Sequence, residues 1–192
     1  MILNDKRIAF LGTAKALMIP FEHSLVSSKN GNKVISYGLS SYGYDIRLSP
    51  KEFYLFVDKE RANDPKQFKQ DAVEAIELKE DTNGQYFLMP PHSYGLGVSL
   101  ELFNIPNNVT GICEGKSTYA RSGIMINLTP LEAGWSGYLT LEFANVSNAP
   151  CRLYANEGIA QIIFFEAEDC LTPYSSRKGK YQDQPEQVVF AK

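Results

Sequence analysis

Two histidines, His23 and His92, are all that the chain has, and neither stands near a cysteine. A catalytic zinc needs three protein ligands drawn mostly from His and Cys, so a zinc-activated water is not expected. Cysteine is scarce as well. Cys113, Cys151 and Cys170 are odd in number and widely spaced, which excludes a disulfide framework and a C-x-x-C metal knuckle. A reducing cytoplasm is the expected location. No apolar run is long enough to span a bilayer. The charges at Asp5, Lys6 and Arg7 come too early for a signal-peptide core. There is no cationic excess: Lys and Arg total 19 against 22 Asp and Glu, a net charge of −3. Bulk attraction to nucleic acid or to an anionic membrane is therefore not expected, and any anionic ligand must be gripped by local cations. Two common catalytic motifs are also missing. Gly115-Lys116-Ser117 ends like a Walker A loop, but Thr110 stands where that motif needs its first glycine. No G-x-S-x-G nucleophile elbow occurs.

What remains is an ordinary globular composition, 44% hydrophobic and 21% charged over 192 residues. That length supports a single domain, 1–192, with a sizeable core. A short helix is expected within 4–18, capped by Asn4, with Ile8, Leu11 and Leu17 as its apolar stripe and Pro20 as its stop. The rest reads as strands. In 40–48, Tyr42, Tyr44 and Ile46 alternate as if on one face. Further short strands are predicted at 53–57, 86–89, 94–103, 111–113, 124–126, 138–144, 151–154 and 159–165, separated by Gly, Pro and Asn turns. Residues 58–72 read as a polar surface loop with a helical turn. Many short strands at this spacing predict a mainly β barrel or sandwich. The tail 175–192 is polar and carries Arg177, Lys178 and Lys180, the composition of a flexible basic flap.

Chemistry concentrates in two places. The segment Gly115-Lys116-Ser117-Thr118-Tyr119-Ala120-Arg121-Ser122-Gly123 holds two cations and several hydroxyls within nine residues. Ser117 is placed to cap a helical turn and Gly123 to end it in the left-handed region. Free N–H groups at such a turn attract phosphate, with Lys116 adding charge; the alternative is an ordinary capped turn. The second place is Thr140-Leu141-Glu142-Phe143. Leu139, Leu141 and Phe143 share one strand face, and Thr140 and Glu142 the other. If that second face is solvated, Glu142 is an ordinary surface acid. If it is covered, Glu142 becomes a proton shuttle. Glu132 reads either as a second functional acid or as a loop residue. Gln161, inside the apolar run 159–165, reads either as a cross-strand structural bond or as a ligand contact.

Taken jointly, Ser40-Ser41-Tyr42-Gly43-Tyr44-Asp45, Gly115 to Arg121, Thr129-Pro130-Leu131-Glu132, Trp135-Ser136-Gly137, Thr140 to Phe143, Tyr154 to Gln161 and Gly179-Lys180-Tyr181-Gln182 resemble the dCTP deaminases of the dUTPase-like superfamily. The resemblance runs nearly end to end. It implies a distorted β-barrel (β-clip) with short helices, assembled as a homotrimer with sites between subunits. It also implies conversion of dCTP to dUTP and ammonia without zinc. The H-x-E and P-C-x-x-C signature of the zinc nucleobase deaminases is absent here. By the same resemblance Glu142 is the proton donor and acceptor, with Ser117 and Arg121 near the reacting base and water. Lys116, Ser117, Thr118, Tyr119, Ala120, Arg121, Thr140, Leu141, Glu142, Gln161, Tyr174, Lys180 and Gln184 are the implied nucleotide contacts. Mg2+ is implied with the triphosphate, and dTTP as an inhibitor. Glu132 falls where bifunctional deaminase–dUTPases carry an Asp, which leaves a second activity as the alternative. A non-catalytic nucleotide-binding domain is the other.

Overall fold

The structure, a computed structural model, describes every residue except Lys59, Lys178 and Lys192. One helix precedes the strands: α1, Asp5–Ala14. Asn4 caps it, its side chain accepting from Arg7 N at 3.1 Å. Ile8 and Leu11 are buried on it, whereas Leu17 is buried three residues beyond its end. Among the described residues thirteen strands follow, in chain order: β1 Met18–Ile19, β2 Val26–Lys29, β3 Asn32–Ser40, β4 Gly43–Phe56, β5 Val73–Ala75, β6 Lys79–Asp81, β7 Gly84–Met89, β8 Ser93–Asn104, β9 Val109–Gly115, β10 Ile124–Asn127, β11 Ser136–Asn145, β12 Cys151–Tyr154 and β13 Gly158–Glu166. Between β9 and β10 lies one helical turn, α2, Ser117–Ala120.

The main sheet runs β10-β11-β8-β4-β13-β9, with β1, β2, β3 and β5 attached at its margins; β12-β7-β6 form a second, three-stranded sheet. Every paired strand is antiparallel. The large sheet curls until its two end strands approach each other. At that seam Gly111 and Leu131 exchange backbone bonds of 3.0 and 2.8 Å, and Thr110 Oγ1 donates to Leu131 O at 2.7 Å. This is a bridge, not a continuous ladder, so the mainly β expectation holds in the form of an incompletely closed barrel.

The strands are longer than the sequence pattern predicts because β4 is buried on both faces from Gly43 to Ser49, which erases the two-residue alternation. Tyr42 does not share a face with Tyr44 and Ile46. Ser40 pairs with Gly43, which puts Ser41 and Tyr42 in the connecting turn and leaves Tyr42 exposed. Tyr44, Ile46, Phe53, Phe143, Ile162 and Phe164 lie in the common core. Gly97 allows close strand approach there: a Cβ at that position would stand 2.9 Å from Leu48 and 3.0 Å from Phe53. The Arg47–Glu101 ion pair is buried in this core. Glu101, fully buried, accepts from Arg47 Nε at 2.8 Å and from Arg47 N at 2.9 Å. Burial pushes the Glu101 carboxyl up, and Arg47 opposes that shift.

The tail does not stand away from the body. Tyr174–Arg177 forms a 3-10 turn. Gln184 then lies alongside Gly137, with Tyr138 N donating to Gln184 O at 3.0 Å and Asp183 N to Ser136 O at 2.9 Å. Trp135 Nε1 donates to Tyr181 O at 2.7 Å. Val188 is buried, and Phe190 stacks on Phe68 at 5.0 Å. Lys178, one of the cations on which the basic reading of the tail rests, is outside the described residues. No helix of the described chain is long and apolar enough to cross a membrane.

Candidate active site

Glu142 occupies the position that strand alternation predicts. Along β11 the residues Gly137, Leu139, Leu141, Phe143 and Asn145 are buried, and those between them are half-buried. Thr140 and Glu142 therefore leave the core face together. They open onto a cavity of about 470 Å³. Its walls are aromatic and aliphatic in large part, with Phe56, Phe68, Tyr94, Leu96 and Trp135 among them. Asn63, Asp64, Thr129, Glu132 and Gln184 add polar groups to the same lining. Burial and the neighbouring Glu142 charge together raise the Tyr94 phenol. Asn127 Nδ2 donates to Glu142 Oε2 at 2.8 Å.

Tyr174 and Gln184 line the same cavity. The Tyr174 hydroxyl accepts from Tyr181 N at 3.2 Å, and Thr140 Oγ1 donates to Gln184 Oε1 at 3.3 Å. Tail residues thus form part of the wall around Glu142. Glu132 is there too, and its carboxylate accepts from the Arg177 guanidinium. Lys180 sits exposed in the turn that precedes Tyr181.

The segment 116–121 and Gln161 form a separate cluster, none of whose members lines the Glu142 cavity. Its centre is a residue that sequence reasoning quoted without giving it a role. Asp45, 4% exposed on β4, accepts from the Lys116 ammonium through Oδ2 and from Gln161 Nε2 through Oδ1 at 2.9 Å. Ser36 Oγ lies 3.3 Å from Lys116 Nζ, and Ser40 Oγ lies 3.2 Å from Gln161 Nε2. One buried carboxylate therefore fixes two implied nucleotide contacts, one just past the end of β9 and one on β13. Gln161 makes the cross-strand structural bond, to Asp45 and Ser40.

The helical turn differs in one detail from expectation. Ser117 is its first residue, not its cap. Lys116 occupies the cap position with an extended backbone (φ −65°, ψ 138°), and no side chain caps the turn. The reason is that β9 continues into it: Lys116 N donates to Ile159 O at 3.2 Å, holding Lys116 to strand geometry. Gly123 does take the left-handed conformation, at φ +80°. Ser117, Thr118, Ala120 and Arg121 are exposed. Tyr119 and Leu141 are buried in the core, and the Tyr119 hydroxyl accepts from Tyr154 N at 2.9 Å. At those two positions the backbone is what remains available to a ligand.

Comparison with known proteins identifies the family. The family model for dCTP deaminase-like proteins matches residues 3–167. A protein of Nitrosomonas eutropha described as dCTP deaminase is 49% identical over 185 residues, covering 95% of each chain. One of Nitrosomonas europaea, described likewise, is 46% identical with the same coverage. Among solved structures, 2'-deoxycytidine 5'-triphosphate deaminase from Agrobacterium tumefaciens has the same fold, with a TM-score of 0.59 at 17% identity. That match covers 89% of this chain and 49% of the other, so the chain spans about half the length of that protein. The matched family model and the near full-length relatives place the chain in the dCTP deaminase-like family.

Proposed function

We propose that the protein hydrolyses dCTP to dUTP and ammonia, supplying dUTP for dUMP and dTTP synthesis. The observation that carries this reading is Glu142: a carboxylate in a mostly apolar cavity, with one oxygen already held by Asn127. Water attacks C4 of cytosine. Glu142 takes one proton from that water and delivers it to N3. The second water proton leaves with the 4-amino group, so that water and dCTP become ammonia and dUTP with atoms and charge balanced. A general base in a water-poor pocket does what bulk water, with a pKa of about 15.7, does very slowly. Ser117 holds the water, and Arg121 steadies the charge that develops on the base. Lys116, Thr118, the Tyr119, Ala120 and Leu141 backbones, Thr140, Gln161, Tyr174, Lys180 and Gln184 bind the nucleotide, and the 175–192 tail covers it. dTTP fits the same contacts as an inhibitor.

Magnesium enters in this reading with the nucleotide. Among the described residues no three His, Cys, Asp or Glu side chains gather to hold a metal. Phosphate oxygens and water are the donors that suit Mg2+. The cysteines, free in the structure, fit a cytoplasmic location.

The assay is direct. Incubation with dCTP yields dUTP and ammonia in equal amounts. dUMP and pyrophosphate as products would instead establish the bifunctional reaction, and no product at all would leave a binding domain.

We propose further that the chain assembles as the homotrimer that the resemblance implies; Glu142 and the 116–121 segment, which do not share a cavity within one chain, then meet between two copies. Mixing the inactive variants Glu142→Gln and Arg121→Ala under subunit exchange restores measurable deamination, since some interfaces then pair an intact Glu142 with an intact Arg121. If the mixture stays as inactive as its components, each chain holds its site alone.

A further inference from the structure

We infer that Asn127 is a positioning residue for Glu142: it pins one carboxylate oxygen so that the other faces the reacting base and water. The inference rests on the acid/base reading of Glu142 and goes beyond it by naming the residue that aims the acid.

Asn127 and Glu142 are register partners, directly opposite each other on the antiparallel pair β10 and β11. Side chains of such partners rise from the same face of the sheet with their Cβ atoms about 4.5–5.5 Å apart. That is the span over which a short amide reaches the end of a Glu side chain, and the 2.8 Å bond from Asn127 Nδ2 to Glu142 Oε2 shows that it does. Among the described residues no other side chain bonds this carboxylate. A Glu has three side-chain torsions, and its terminal one is soft. A single donor fixed by strand register removes that freedom. One oxygen is then committed to the amide, and the opposite oxygen is left toward the cavity that Tyr94, Leu96, Leu139 and Thr140 enclose.

The support beneath Asn127 is rigid. Ile126 packs against Gly115, where even a Cβ would come within 3.2 Å of the Ile126 Cβ. β10 is therefore held between β11 on one side and the end of β9 on the other, next to Lys116. Asn127 itself is exposed, so its hydrogen bond contributes little to folding. A solvent-facing amide bonded to a cavity acid is better explained by what it does for the acid.

The test uses the full chain. Asn127→Ala lowers kcat for ammonia release from dCTP by roughly tenfold to a hundredfold, the range for losing one hydrogen bond to a charged group. The Michaelis constant for dCTP and the melting temperature stay close to those of the parent. Asn127→His recovers much of the rate, because the imidazole Nδ1–H stands as many bonds from Cα as the amide nitrogen does. In a Glu142→Gln background Asn127→Ala adds nothing further. An unchanged kcat in Asn127→Ala overturns the inference, as does a fall in kcat matched by loss of dCTP binding and melting temperature. A fully active Glu142→Gln variant is a different result and removes the acid/base reading itself.

Discussion

Glu142→Gln lowers the rate of dCTP deamination by roughly 10²- to 10⁴-fold, the usual contribution of a positioned general acid–base group, and leaves dCTP binding nearly intact. The two side chains have the same shape and length. Gln can accept a hydrogen bond through its carbonyl oxygen, so contacts to Asn127 and to the base survive in outline. What the amide cannot do is receive a proton from water and pass it on. The loss therefore falls on kcat and not on the Michaelis constant, the pattern expected when an interaction needed only in the transition state is removed. Ammonia release and nucleotide binding, measured separately, check both halves. Parallel losses in the two would mean that Glu142 holds substrate and does not move protons, and an undiminished rate would remove it from the reaction.

The face that Glu142 takes is legible in the sequence because of its strand. β11 has one face on the core and one away from it, so Leu139, Leu141 and Phe143 declare the buried side and Thr140 and Glu142 the other. The Asn4 cap and the Gly123 turn were legible for similar reasons, since each needs a particular local chemistry. Where the two-residue alternation fails, so does the reading. β4 is buried on both faces over its first half, so its length and the turn at Ser41-Tyr42 were hidden. Ser117 falls one residue inside the turn because a long-range bond to Ile159 holds Lys116 extended just past the end of β9, and no local pattern reports such a bond. Asn127 was invisible for the same reason. It lies fifteen positions from Glu142, and only the register of β10 on β11 brings them face to face. The division of the implied contacts into two clusters follows from how the sheet curls. Sequence motifs carry the identity of such residues but not which of them share a wall.

Asp45 is the clearest residue of this kind, and replacing it with Asn has the largest expected effect on stability. The carboxylate makes two bonds with its two oxygens, one to Lys116 and one to Gln161, and both partners are donors. An Asn has one acceptor oxygen and one amide that donates. It can satisfy Lys116 or Gln161 but turns a donor toward whichever it does not serve. It also removes the negative charge beside an ammonium whose side chain is only 12% exposed. Breaking a buried ion pair from one side costs about 3–5 kcal/mol. Ser36 still lies within reach of Lys116, which points to the lower end, about 3 kcal/mol. For a chain of this length that is a fall in melting temperature of roughly 6–12 °C. The Michaelis constant for dCTP rises as well, because both anchored contacts lose their orientation. Adding Lys116→Met to Asp45→Asn removes the stranded charge and recovers part of the melting temperature without recovering dCTP binding. Thermal melts with and without saturating dCTP, together with steady-state kinetics on the single and double variants, separate these effects. A single variant that melts with the parent protein would show that the Asp45–Lys116 pair contributes nothing to the fold, and a double variant with parental dCTP binding would show that neither residue serves the nucleotide.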